Sequence, residues 1–333
     1  MLLHSWIVAK NETKQTLAAF LRVKLDLTWS KAKELIAKKQ IRVASQPTID
    51  PAQRLKTGNR VEVHGLSAIG PAKPSSKKSK PIKSEPTYAG PMPIVVYEDD
   101  SIVVVDKPAG LTTMRHADEA AEFGARGKHY LPTTLADLLP DLLGQPGKAL
   151  RAVHRIDRDT SGLVVFARSA KAERVLNGQF REHTVERRYL ALVRGQPKAG
   201  KIESLLVRDR GDGRRGSLTE EGQTAITHVK VVEALGDFTL VECRLETGRT
   251  HQVRIHLGEQ GTPLCGETVY DRPVNGKPYP DNSGATRTML HAAKLGVRHP
   301  ETEDKMSWSS PLPDDMAKLL EELRENDFKH ESK

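Results

Sequence analysis

Residues 154–162 form the most chemically suggestive stretch of this sequence. They read HRIDRDTSG, and the apolar run LVVF follows at 163–166. A turn of this composition places the carboxylate of Asp157 between the guanidinium groups of Arg155 and Arg158, at the start of a predicted buried strand. Carboxylates and arginines at such short separation often form ion pairs, because each group otherwise loses water without compensation. The residues alone therefore leave two interpretations open, a structural ion-pair loop and an active-site carboxylate.

The same stretch is similar to the HRLDRDTSGL signature of the RluA-type pseudouridine synthases, with Ile156 at the position of the family's leucine. Several motifs in the right order are more specific than any one of them. On such motifs, which span about residues 91–316, the chain is identified as a member of that family. The further matching segments are KPAGL at 107–111, RYLALV at 188–193, GRTHQVRIH at 248–256, LHA at 290–292, HP at 299–300 and PLP at 311–313.

The resemblance implies an enzyme that isomerises uridine to pseudouridine in RNA, and it assigns roles to four residues. Asp157 is the catalytic carboxylate of the family motif, Arg254 is its basic partner, and Tyr189 packs against the target base. A bidentate Arg254–Asp157 ion pair would favour the ionised carboxylate and orient it. Arg155 lies at a position suited to fill the gap left by a flipped nucleotide. Without the resemblance, Tyr189 would be assigned to the core and Arg254 to the surface of a helix that begins near Thr250.

The implied reaction breaks the bond between N1 and C1′ of uridine and rejoins the base through C5, with no exchange of electrons. We therefore expect neither a metal nor an organic cofactor. His154, His251 and His256 leave a metal-dependent hydrolase as an alternative, provided that they converge. Two departures from the family pattern leave the substrate open. Glu267 stands where the family has aspartate, and the segment 112–150 begins with TTMRH where VVHP is common.

Positive charge is concentrated in the first quarter of the sequence. The 333 residues carry a net charge of +9, whereas residues 1–86, with 17 basic and 6 acidic side chains, carry +11. Such a distribution favours a polyanion-binding module, because phosphate contacts dominate the affinity for nucleic acids. A solvated lysine-rich surface without a ligand is the alternative.

Within this basic region, residues 14–66 predict two helices followed by short strands. Lys31, Lys38 and Arg42 fall on one line of the second helix and its exit, where they could follow a phosphate backbone. The pattern SKAKELIAKKQIRV followed by LKTGNRVEV resembles the S4 RNA-binding domain. We predict an S4-like domain at 14–66, a flexible basic linker rich in proline, serine and lysine at 67–90, and a catalytic domain at 91–327.

The fold class predicted for the catalytic domain is α+β with a largely antiparallel sheet, and a small α/β domain precedes it. Apolar strands alternate with helical stretches such as 170–180, and Val241, Cys243 and Leu245 alternate with charged residues. Neither Cys243 nor Cys265 has zinc-binding spacing, and two cysteines are too few for a disulfide framework. No apolar run approaches the ~20 residues that span a bilayer, and the N-terminus lacks the features of a signal peptide. These features predict a cytoplasmic location.

The leading functional prediction is a synthase that modifies uridine in structured RNA, with large-subunit ribosomal RNA as the expected substrate because of the S4-like module. Transfer RNA is the alternative substrate for the same chemistry. A non-catalytic RNA-binding or ribosome-assembly factor is the alternative of a different class, and the joint presence of Asp157, Tyr189 and Arg254 argues against it. RNA is the expected partner; no membrane and no obligate protein partner are predicted.

Overall fold

The protein is described by a computed structural model that covers residues 2–9, 12, 16–25, 27, 32, 35–36, 38, 40–48, 53, 55–64, 88–115 and 132–331. The chain divides into two compact units, Met1–Ile82 and Lys83–Lys333. The proline-, serine- and lysine-rich segment 71–86 lies outside the described residues, and the three predicted domain ranges stay predictions.

In its described residues, the N-terminal unit contains a four-stranded antiparallel sheet in the order β1-β4-β2-β3 and a helix that shares its core. The second predicted helix lies in a stretch that the described residues cover only in part. The helix that shares the core has an apolar face that is buried at Leu17, Phe20 and Leu21. This small α/β unit agrees with the predicted fold class. Its elements are β1 (Leu2–Ile7), α1 (Leu17–Leu25), β2 (Ile41–Val43), β3 (Gln46–Pro47) and β4 (Arg60–His64).

Strand β1 lies before the predicted range of 14–66 and belongs to the same sheet. It pairs with β4, with Trp6 opposite Val61, and Trp6 packs against the core of the unit. The segment LLHSWI lacks a regular apolar alternation, so the period-two pattern of a half-buried strand could not indicate it.

In the described part of Lys83–Lys333, eleven strands form one sheet that is antiparallel except for the β14–β8 pair. The predicted α+β class with a largely antiparallel sheet is confirmed. The main strand order is β11-β10-β12-β13-β9-β14-β8-β6-β5, with β15 beside β14 and β7 beside β8. The elements are β5 (Ile94–Glu98), β6 (Ile102–Lys107), α2 (Leu135–Leu142), β7 (Arg151–Ala152), β8 (Ser161–Ala167), α3 (Ala170–Arg181), β9 (Glu186–Arg194), β10 (Gly200–Val207), β11 (Gly216–Leu218), β12 (Gln223–Leu235), β13 (Phe238–Leu245), α4 (Gln252–Glu259), β14 (Leu290–Arg298), β15 (Lys305–Ser309) and α5 (Asp314–Glu331).

Strand β8 is central in this sheet, and all seven of its residues are buried. Leu163 and Val165 pack against α3, whereas Val164 and Phe166 pack against α2 on the opposite face. A strand covered on both faces gains from apolar residues at every position, which explains the uninterrupted LVVF run. The polar residues before this run therefore lie at the N-terminal end of a strand that is packed on both faces.

Helix α4 packs on β9 and β13 through Val253 and Leu257, which share a core with Val241 and Cys243. This packing places the first turn of α4 near the start of β8. Among the described residues, no helix is both long enough and apolar enough to cross a membrane.

Candidate active site

The Asp157 loop, residues 153–160, connects β7 to β8 and is held by the segment that follows β6. Thr113 donates its hydroxyl to the Ile156 carbonyl at 2.8 Å, and the Gly110 amide donates to the Arg158 carbonyl at 2.8 Å. The side chain of Ile156 is buried against the α2 core. Main-chain bonds on both sides of Asp157 and an apolar anchor beside it fix the position of the carboxylate.

Lys107 of the KPAGL segment connects the segment that follows β6 to the Asp157 loop. Its buried ammonium donates to the carbonyls of Pro108 at 2.9 Å, Leu111 at 2.7 Å and Arg158 at 3.0 Å. Burial lowers the pKa of Lys107 to about 7, and the carboxylates of Asp159 and Asp157 act in the opposite direction. The lysine therefore acts as a cross-link between the KPAGL turn and the Asp157 loop.

Arg254, in the first turn of α4, lies between two carboxylates. Its Nη1 is 3.4 Å from Oδ2 of Asp157, whereas its Nε and Nη2 donate to the two carboxylate oxygens of Glu267 at 2.6 and 2.8 Å. The predicted bidentate pair between Arg254 and Asp157 is therefore wrong, because the guanidinium fork is used by Glu267. Asp157 receives a single, longer contact from Arg254 and keeps 20% of its side chain exposed.

Glu267 is a fully buried carboxylate whose negative charge is offset by Arg254 and by main-chain amides. One of its oxygens accepts from the amides of Val269 at 2.8 Å and Thr268 at 3.1 Å. Burial acts to raise the pKa of Glu267, but the hydrogen bonds and charge of Arg254 outweigh it and lower the pKa. Burial likewise acts to lower the pKa of Arg254, and Glu267 with Asp157 raises it. Both groups are ionised at neutral pH.

His251 and Tyr270 complete the surroundings of the Asp157 carboxylate. The Nε2 atom of His251 is 3.7 Å from Oδ1 of Asp157, and its Nδ1 is 2.7 Å from the Tyr270 hydroxyl. Burial lowers the pKa of His251, with Asp157 opposing and Arg254 adding to the effect. Burial also raises the pKa of Tyr270 to about 12. With the tyrosine hydroxyl as donor to Nδ1, the proton of the neutral imidazole lies on Nε2 and faces Asp157.

A cavity of about 490 Å³ opens above Asp157. Tyr189 of β9 forms part of its wall, and burial raises the pKa of this phenol, with Arg187 opposing, so the ring is uncharged at neutral pH. The cavity volume is in the range of sites for small organic molecules. Its lining residues are Val153, His154, Arg155, Ile156, Asp157, Thr160, Phe180, Arg181, His183, Arg187, Tyr189, Leu245, Gly248, Arg249, His251, Gln252, Val253, Arg254 and Leu290.

Comparison with known proteins identifies the family. Residues 101–259 match the model of the RNA pseudouridylate synthase family. An uncharacterized RNA pseudouridine synthase of Bacillus subtilis, YlyB, is 38% identical over 241 residues, which are 72% of this chain and 75% of the relative. This chain belongs to the RNA pseudouridine synthase family.

Other relatives match about the same part of the chain. The ribosomal large subunit pseudouridine synthase D of Nitrosomonas europaea is 39% identical over 235 residues, and the match covers 69% of this chain but 65% of that relative. The human RNA pseudouridylate synthase domain containing 4 has the same fold, with a TM-score of 0.55, 23% identity and coverage of 69% of this chain and 92% of that chain.

In this member of the pseudouridine synthase family, the residues predicted for the site fall into two groups. Asp157, Tyr189 and Arg254 line one cavity, and the exposed Arg155 lies on its wall. Lys38 and Arg42 are exposed residues of the N-terminal unit, whereas Lys31 lies outside the described residues. The RNA-binding role predicted for the residues of the N-terminal unit stays a prediction.

The histidines of the alternative hydrolase do not converge. The Nε2 atom of His154 accepts from the Val165 amide at 3.0 Å, and burial lowers the pKa of His154 to about 3. His256 contacts the hydroxyls of Ser204 at 3.0 Å and Thr227 at 2.9 Å. Within the described ranges, no group of three histidine, cysteine or acidic side chains is arranged to hold a metal ion.

Three residues of the site have no catalytic or binding role assigned from the sequence: Arg187, Glu267 and Tyr270. The sequence analysis considers His251 only as a possible metal ligand. A signal existed for Glu267, because it replaces the family's aspartate in the segment before Tyr270. For Arg187 there was none, because an arginine within a strand is ordinarily assigned to a solvent-exposed face.

Proposed function

We propose that this protein is an RNA pseudouridine synthase in which Asp157 is the essential carboxylate. The observation that carries the proposal is the convergence of Asp157, Arg254 and Tyr189 on a single cavity. Attack on C1′, attack on the base and removal of a sugar proton all begin from an ionised carboxylate. The guanidinium of Arg254, 3.4 Å away, places a positive charge beside this carboxylate.

The other groups of the cavity are suited to hold the base while it is detached. Tyr189 offers an uncharged ring on which a base can stack, a contact worth about 1–3 kcal/mol. Glu267 prevents Arg254 from turning fully toward Asp157, so the carboxylate remains accessible to a substrate. In the overall step the N1–C1′ bond breaks, the C5–C1′ bond forms, C5 loses a proton and N1 gains one.

For the substrate we propose large-subunit ribosomal RNA. The support comes from relatives named ribosomal large subunit pseudouridine synthase D, including those of Nitrosomonas europaea and Zymomonas mobilis. The basic residues 1–86, in which Lys38 and Arg42 are exposed, would add an S4-like RNA-binding surface. An enzyme for this RNA works where ribosomes are assembled, which places it in the cytoplasm.

The catalytic proposal is tested by Asp157→Asn, which removes the charge and keeps the shape of the side chain. We expect loss of tritium release from C5-labelled uridine in total RNA, with RNA affinity and thermal stability close to those of the wild type. Asp100→Asn, at an exposed position outside the cavity, makes the same change of charge and is the matched control. Turnover by Asp157→Asn at the rate of the control would contradict the role of Asp157.

The substrate proposal is tested by mapping pseudouridine in ribosomal and transfer RNA from cells with and without the gene. We expect one or more sites to disappear from large-subunit ribosomal RNA and to return with the wild-type gene but not with Asp157→Asn. Loss of sites from transfer RNA alone would favour the alternative substrate. Unchanged maps in both RNAs would favour the non-catalytic factor.

A further inference from the structure

Arg187 of β9 is a buried cation that has no acidic partner among the described residues. Its residue surface is 7% exposed, its Nη2 donates to the main-chain carbonyl of Glu246 at 2.8 Å, and its guanidinium lies 5.6 Å from the centre of the Phe180 ring. Its Nε has no acceptor in the part of the chain that the structure describes. The carboxylate of Glu246 instead contacts His228 at 2.5 Å.

This arrangement differs from that of Arg194 on the same strand. Arg194 is equally buried at 7%, and its Nε also has no acceptor among the described residues. Its guanidinium, however, lies 3.7 Å from the Asp281 carboxylate and donates to carbonyls of Tyr279 and Glu267. The free-energy cost of burying a charge is offset by such partners and is otherwise large. Among the described residues, one of the two buried β9 arginines thus has a carboxylate partner, and the other has a single hydrogen bond and a ring contact.

The uncompensated guanidinium lies in the wall between two cavities. Arg187 lines the cavity above Asp157 and also a neighbouring cavity of about 320 Å³, together with His183 and Leu245. The backbone of the GRTH motif is shaped around it, because a Cβ atom at Gly248 would lie 2.4 Å from Nη1 of Arg187. Any side chain at Gly248 would displace the guanidinium from this wall.

Arg187 and Tyr189 project from the same face of β9, since they are two residues apart in a strand. Their Cα atoms are then separated by about 7 Å, a distance that a single nucleotide can bridge. If a base of the RNA stacks on the Tyr189 ring, a backbone phosphate of the same RNA strand would therefore lie near Arg187. The guanidinium fork matches the geometry of phosphate oxygens.

We propose that Arg187 binds a phosphodiester group of the RNA strand adjacent to the target nucleotide. The bound phosphate supplies the negative charge that the fold withholds from this guanidinium. This inference rests on the proposed function, since it assumes that the target uridine enters the cavity above Asp157. It assigns to Arg187 a role in substrate binding and leaves the chemical step to Asp157.

The test compares Arg187→Gln with Arg188→Gln. Arg188 is the next residue of the strand, and its charge is already compensated by Glu186 at 2.8 Å and Glu242 at 3.1 Å, so both variants change the net charge equally. The affinity for a fluorescein-labelled oligouridylate is measured by anisotropy over a range of KCl concentrations. We expect Arg187→Gln to reduce the slope of log affinity against log salt by about 0.7, the value for one phosphate of a single strand, and Arg188→Gln to leave it unchanged.

Thermal unfolding without RNA supplies a second readout. Because the substitution removes a buried charge that lacks a carboxylate, we expect the Tm of Arg187→Gln to stay at or above that of the wild type. A lower Tm together with an unchanged salt slope would mean that Arg187 is a structural residue, and the proposal would be wrong. An equal loss of slope in both arginine variants would also contradict it.

A measurement on the wild type covers the case in which Arg187→Gln does not fold. Uridine 5′-monophosphate and uridine 3′-monophosphate are compared with uridine at equal concentrations, and we expect at least one of the nucleotides to raise the Tm more than the nucleoside. Equal shifts for all three would contradict the phosphate site. None of these measurements requires turnover, so an inactive protein with the predicted slopes would refute the synthase proposal and keep the phosphate site.

Discussion

Glu267 determines where the positive charge of Arg254 lies in the cavity. The carboxylate holds the guanidinium by two hydrogen bonds of 2.6 and 2.8 Å and is itself fully buried. Removing one member of a buried ion pair costs about 3–5 kcal/mol, because the other charge remains without compensation. The residue thus contributes to stability and to the geometry of the catalytic carboxylate.

We expect Glu267→Gln to lower the free energy of unfolding by about 3–5 kcal/mol and to slow single-turnover formation of pseudouridine. Glu267→Asp keeps the charge and restores the family's residue, so it should retain more of both properties. Urea unfolding and quench-flow rates on the same RNA are the measurements. Equal effects of the glutamine and aspartate variants would show that the charge of Glu267 is not what matters.

The same residue predicts a pH dependence. The pKa of Glu267 is lowered by folding, so the stabilisation that it provides is complete above its unfolded pKa of about 4.3 and is lost as the pH falls through the lower folded value. In Glu267→Gln this component should be missing, and unfolding free energies should depend less on pH as the pH falls below about 4.3.

At this scale the sequence predicted the residues that belong to motifs and missed those defined by tertiary contacts. Asp157, Tyr189 and Arg254 were found through the resemblance, and they line one cavity. Arg254 contacts Asp157, as predicted, but the bidentate geometry was predicted wrongly, because the division of the guanidinium between Asp157 and Glu267 depends on how the segment after α4 folds back. The burial of Arg187 depends on Phe180, Gly248 and the residues that follow β13. No local sequence pattern indicates these contacts.

Among the elements, the β8–β14 pair determines where the Asp157 loop begins. Gly162 lies at the start of β8 with a φ of 110°, and a Cβ atom there would lie 2.4 Å from the Ala292 carbonyl oxygen of β14. Only glycine combines this backbone conformation with so close an approach. The glycine of the HRIDRDTSG motif is therefore required by the pairing of two strands.

We expect Gly162→Ala to lower the free energy of unfolding by about 2–5 kcal/mol, since backbone strain and a steric clash add. Gly144→Ala is the matched control, because its φ is 63° but no atom lies within 4 Å of the added carbon. That variant should lose about 1–2 kcal/mol from strain alone. Chemical denaturation of both proteins gives the difference, and equal losses would exclude the close approach as the cause.

The sequence predicts the strands with continuous apolar runs and the strand β13, whose apolar and charged residues alternate, but it does not indicate β12. The runs in β6 and β8 are continuous because helices cover both faces of the sheet there. Strand β12 was not predicted, since its inward residues include Thr227, whose hydroxyl contacts Gln252 and His256. A buried threonine with side-chain partners gives no hydrophobic signal, although it contributes to the same core.

At the scale of the whole molecule, charge is divided unevenly between the two units. Residues 1–86 carry +11, and the remaining residues carry −2. The catalytic unit thus has a cavity with local cations but no excess of positive charge to attract RNA from a distance. Long-range attraction of a polyanion should depend mainly on the N-terminal region.

Deletion of residues 1–86 tests this division. The catalytic unit should fold, because Lys83–Lys333 is compact by itself and the deletion ends before the first described residue of that unit. We expect weaker binding of ribosomal RNA and a smaller salt dependence, with a loss of about 0.7–0.9 in the log–log slope for each phosphate contact removed. Turnover on saturating RNA should change less than the affinity, because Asp157, Tyr189 and Arg254 remain.

The full-length variant Lys38→Gln/Arg42→Gln tests the N-terminal unit separately from the lysines that follow it in the sequence. If the deletion reduces the slope and the double variant does not, the predicted line of basic residues is wrong, whereas an unchanged slope in both proteins would remove the whole N-terminal region from RNA binding.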